Sequence, residues 1–163
     1  MKHAMSGVFM AAALVSSFAS HGTAAHPANR AAIAEDIRRD VAEIVAGINA
    51  HDVDRATRFD APDIVSMEGG RPPSTGIASE REGLAAAFKY APSWRLELID
   101  EVVDVAESGE MAVYRSTYDE TSVDDGVTMT HKVNFIAGFA RQDDGPWQVA
   151  WSVVAQQERS HPQ

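Results

Sequence analysis

Apolar residues recur every three or four positions from about Ala31: Ile33, Ile37, Val41, Ile44, Val45 and Ile48, with Glu35, Arg38, Arg39 and Glu43 on the opposite side. That period predicts an amphipathic helix of about five turns. Asp52 follows, and its carboxylate can accept from the exposed amides of the next turn, which predicts a short second helix. Pro62 lacks the amide a helix interior needs, so this helix must stop before it. Residues Asp63 to Glu68 read as a strand that runs into Gly69 and Gly70. A loop through Pro72, Pro73 and Gly76 comes next. Ser79 and Glu82 then fit a capping box opening a third helix that runs to about Lys89.

Beyond Pro92 the period changes. Segments 94–105, 110–122, 127–142 and 146–157 are rich in Val, Ile, Thr and aromatic residues, and acidic–glycine turns separate them. They read as a four-strand meander. Three helices, one early strand and a meander indicate an α+β domain with helices on one face of a curved sheet. Strand alternation sorts the faces. A turn centred on Asp124-Asp125 sets Tyr118 opposite His131, whereas one centred on Asp125-Gly126 sets Glu120 there. Both registers gather Tyr114, Tyr118, His131, Val133 and Phe135 on one face. The odd positions of the last strand, Trp147, Val149, Trp151 and Val153, are expected to join them. Such an aromatic surface with few polar tips suits a small hydrophobic ligand. The expected ligand-binding set is Met67, Tyr114, Val133, Phe135 and Trp151.

The 163 residues suit a single domain. "MKH", the apolar run "AMSGVFMAAALVSSFA" and the small residues "SHGTAA" have the three-part order of a secretory signal peptide. Residues 1–25 are therefore expected to be a signal peptide cleaved after Ala25, or alternatively after Ala19. That leaves one domain over 26–163 with a core of about 31–157, located in the periplasm or secreted. The apolar run is short for a membrane span, so no membrane association is expected after cleavage. The whole chain carries a net charge of −10, which opposes binding to nucleic acid. There is no cysteine, and His26, His51, His131 and His161 lack ligand spacing, so neither a metal nor a cofactor is expected. No GxSxG elbow or phosphate loop is present.

The run "VAGINAHDVDRATRFDAPDIVSMEGG", a glycine before a helix, and the closing "FARQDDGPWQVAWSVV" resemble the nuclear transport factor 2-like superfamily, in particular its SnoaL-like and ketosteroid isomerase-like groups. The resemblance covers roughly 31–157. It implies a cone-shaped, strongly curved, mostly antiparallel sheet wrapped by three N-terminal helices, a cystatin-like α+β barrel, with a pocket in the cone and a homodimer. It also places the catalytic base of the isomerases on Glu68; Tyr118 and His131, from the aromatic face and not from the resemblance, are candidates to polarise a substrate oxygen. The two oxyanion donors of those isomerases fall on Ile44 and at or near Ala137, both apolar. Two functions stay open: a proton-transfer enzyme of isomerase, cyclase or dehydratase type, and a non-catalytic ligand-binding or dimerisation module.

Overall fold

The computed structural model describes residues 27–141 and 145–157. The leader expected over 1–25 lies outside the described residues. Helices α1 (Pro27–Ala50) and α2 (Val53–Ala56) precede β1 (Asp60–Glu68) and β2 (Ser74–Thr75); α3 (Ile77–Tyr90) leads into β3 (Arg95–Val105), β4 (Met111–Asp124), β5 (Val127–Ala140) and β6 (Gln148–Gln156). The sheet runs in the order β2-β1-β6-β5-β4-β3. Among the described residues, only the β1–β6 pair is parallel. The architecture is therefore the α+β cone with a curved, mostly antiparallel sheet.

The stripe on α1 does what its period requires. Ile33, Ile37 and Val41 are buried against Ile64, Tyr114, Ala137, Phe139, Trp147 and Val149. At the far end of α1, Gly47 lies so close to α2 that an added Cβ would sit 2.5 Å from the Ala56 nitrogen. The Asp52 cap forms, its Oδ1 accepting from Arg55 N at 3.0 Å. The capping box does not open α3. That helix starts two residues earlier, at Ile77, because Gly76 takes a positive φ of 86° and donates its N–H to the Ile64 carbonyl at 2.8 Å. A backbone bond to β1 thus sets the entry, with no side-chain cap.

Asp125 and Gly126 take φ of 48° and 76°, the left-handed pair of a two-residue hairpin turn. The register is the one that sets Glu120 opposite His131 and Tyr118 opposite Val133. Two bulges then change which residues face inward. One lies between Leu98 and Asp100 on β3. The other lies at Gly138–Phe139 against β6, so that Phe139 pairs with Val149 but Gly138 pairs with Trp151. Trp151 is thereby turned to the outer face, contrary to the expectation from simple alternation. Its indole covers Gly138, where an added Cβ would meet the ring at 2.2 Å. Met67, paired with Val153 on that same side of the sheet, also faces outward and not toward an interior ligand. An extra residue shifts parity, and every side chain beyond it changes face.

Candidate functional site

The inner face of β4 carries Ala112, Tyr114, Ser116, Tyr118 and Glu120 in order toward the turn, and β5 supplies Phe139, Ala137, Phe135, Val133 and His131 opposite them. Glu101, which pairs with Ser116, joins this face from β3. Tyr114 Oη donates to Glu101 Oε2 at 2.9 Å and lies 2.9 Å from Tyr118 Oη. Arg38 of α1 brings its Nε to 3.5 Å from Glu101 Oε1. Burial pushes both phenols above their ordinary pKa, so they stay neutral. Between them Ser116 is buried; its hydroxyl lies close enough to both phenols to pull their pKa back down in part, without closing a hydrogen bond of full geometry.

This polar chain forms one end of a cleft of about 280 Å³ lined by Arg38, Val41, Ala42, Val45, Ala46, Asn49, Leu98, Glu101, Tyr114 and Tyr118. The cleft keeps its shape because Asn49 clamps α1 to β3. Its Nδ2 donates to the Leu96 carbonyl at 2.9 Å, and its Oδ1 accepts from Leu96 N at 2.8 Å. The arrangement is a mainly aliphatic slot with a hydrogen-bonding wall.

A second polar group sits at the rim, toward the β4–β5 turn. Burial pushes the Glu120 carboxyl up; His131 beside it pulls the other way, Glu68 pushes it up further, and the Trp94 indole N–H lowers it. That Trp94 Nε1 is buried without closing a hydrogen bond of full geometry. Glu68 lies on the inner side of β1, half exposed, with Arg71 Nη1 at 3.1 Å from its Oε2. Glu68 and His131 thus meet near Glu120 at the rim. Tyr114 and Tyr118 meet at the cleft, which Glu68 and His131 do not line. Val133 and Phe135 lie on the inner face between the two groups, while Met67 and Trp151 are on the outer face. Among the described residues, no cluster of His, Asp and Glu is arranged to hold a metal ion.

Sequence reasoning missed two acids. Glu101 escaped because alternation from Leu96 and Leu98 points Asp100 inward. The signal was there: the apolar parity of "LELIDEVVDV" changes from Leu96 and Leu98 to Val103 and Val105, which is the mark of a bulge. Asp60 at the start of β1 carried no such signal. Burial, and then the nearby Glu80, push its carboxyl up to about 7.

Solved structures share this architecture. An NTF2-like protein with a cystatin-like fold from Novosphingobium aromaticivorans is 18% identical, with 77% of this chain and 82% of that one covered and a TM-score of 0.65. The chain has the nuclear transport factor 2-like fold. The same fold relates it to a ketosteroid isomerase-like protein from Erwinia carotovora atroseptica, at 19% identity, 77% and 96% coverage and a TM-score of 0.62. It also relates it to a protein from Novosphingobium aromaticivorans provisionally named a scytalone dehydratase, at 10% identity, 82% and 89% coverage and a TM-score of 0.72. No family model matches the chain, and no curated protein matches it. Identities this low carry the fold and no activity. At the two positions where the isomerase donors fall, Ala137 is fully buried in the apolar core and Ile44 packs against it.

Proposed function

We propose that this domain is an exported, homodimeric binding protein for a small, largely apolar molecule with one polar group. The ligand lies in the cleft under α1, its apolar body against Val41, Val45, Ala46 and Leu98 and its polar group at Tyr118. The observation that carries this reading is the hydrogen-bonded Tyr118–Tyr114–Glu101 chain in the wall of an otherwise aliphatic slot. Ligand sites combine an apolar lining with a few placed polar groups in this way. Titration of the purified protein with small cyclic alcohols and ketones, followed by amide and methyl NMR shifts, tests it. Shifts are expected at the cleft residues and should vanish in Ala42→Trp, whose indole fills the slot from an exposed position. Shifts confined to other surfaces, or unaffected by Ala42→Trp, would rule the cleft out.

One observation favours catalysis as a second reading: Glu120, with its raised pKa, faces His131 and Glu68 at the rim. A carboxyl tuned upward beside an imidazole is suited to general acid–base work on an apolar carbonyl compound. Protein-dependent exchange of solvent deuterium into the α-position of a bound ketone would report it. Glu120→Gln and Glu68→Gln should each slow the exchange by roughly 100-fold. Equal exchange with and without protein leaves binding as the function.

A further inference from the structure

The direction of the hydrogen bonds in the phenol chain determines what the ligand must offer. Glu101 is ion-paired with Arg38, and a carboxylate only accepts. A phenol has a single hydrogen. Tyr114 places its own on Glu101 Oε2 at 2.9 Å. In the 2.9 Å contact between the two phenols, Tyr114 therefore has no hydrogen left to give, and Tyr118 must be the donor. Both protons run along the cleft wall toward Glu101, and neither is offered to the ligand. Tyr118 Oη is left as an acceptor. In this arrangement its proton is committed to Tyr114 and is not offered to a carbonyl oxygen.

We infer that the cleft selects molecules with a neutral hydroxyl, alcohols or phenols, over the corresponding ketones, because the Tyr118 oxygen accepts from the ligand's O–H. This rests on the cleft reading given above and names the ligand class of that site. A ketone of the same shape brings a second acceptor to the Tyr118 oxygen and finds no proton there. Sites built to hydrogen-bond a hydroxyl discriminate strongly against analogues that lack it.

The polarity should be switchable at its source. In Glu101→Gln the side-chain amide can donate to Tyr114 Oη. The chain can then run outward, with Tyr118 presenting its proton to the ligand. Tyr118→Phe removes the accepting oxygen and keeps the ring in the cleft wall.

The test measures dissociation constants by NMR titration for three matched pairs: cyclohexanol and cyclohexanone, borneol and camphor, tetralol and tetralone. In the unaltered protein the alcohol of each binding pair should be tighter by roughly tenfold or more. In Tyr118→Phe the pair should come within about twofold, and in Glu101→Gln the preference should vanish or invert. Equal affinities in the unaltered protein, or tighter ketones, would overturn the inference while leaving the cleft as a binding site. A preference that survives in both variants would overturn it too. No binding by any pair would instead remove the cleft reading, and this inference with it.

Discussion

Tyr114→Phe is the sharpest probe of the buried chain, because it deletes one oxygen and preserves volume. Tyr114 is fully buried, and its hydroxyl makes two contacts, donating to Glu101 and accepting from Tyr118, each at 2.9 Å. A hydrogen bond to a charged group contributes about 1.5–3 kcal/mol net, and a neutral one about 0.5–1.5 kcal/mol. Glu101 keeps a quarter of its side chain exposed and also has Arg38, so the charged bond belongs at the low end of its range. The loss should be about 2–3 kcal/mol. Tyr118→Phe breaks only the neutral bond and should cost about 0.5–1.5 kcal/mol. For a domain of this size, each kcal/mol corresponds to roughly 3–5 °C in Tm. Urea denaturation followed by tryptophan fluorescence reads both effects, provided the slope is unchanged between proteins. Because the substitutions share a bond, the double variant should be less destabilised than the two single losses combined. The reasoning fails if Tyr114→Phe is within 0.5 kcal/mol of the unaltered protein, the scale of an ordinary surface change, or if Tyr118→Phe is the more damaging.

Asp60 gives a pH prediction. Its folded pKa of about 7 lies above the ordinary 3.8, so between these values the folded protein holds a proton that the unfolded chain has released. The stabilising contribution is complete below about pH 4 and is lost as pH rises through about 7. Asp60→Asn should therefore raise stability by a few kcal/mol at pH 8 relative to pH 4; an effect equal at both pH values would refute the assignment. The outer sheet face exposes Val102, Met111 and Ile136, and burying such area favours association. Sedimentation at tens of micromolar should show a dimer that Ile136→Asp converts to monomer; a monomeric unaltered protein would count against it. Mass spectrometry of protein from the native host should find a chain beginning at His26 or Ser20, and an intact Met1 in the cytoplasm would refute export.

Much of the fold was legible because its signals are local. The stripe from Ile33 to Ile48, the Asp52 cap and the strand alternation each depend on residues within a few positions of one another. The Asp125-Gly126 turn belongs with them, although the sequence left it as one of two registers. The resemblance to the nuclear transport factor 2-like group supplied the cone itself. Only the tertiary structure decided which side chains share a site. The bulges at Leu98–Asp100 and Gly138–Phe139 invert the alternation that sequence periodicity assumes, and so bring Glu101 to the phenols and turn Trp151 outward. A bulge is set by how two strands pair, and that pairing is not written in either strand alone. The parallel join of β1 to β6, which places Glu68 across the rim from Glu120, links distant parts of the chain. The raised pKa values of Asp60 and Glu120 have the same origin: burial and neighbouring charge exist only once the chain has folded.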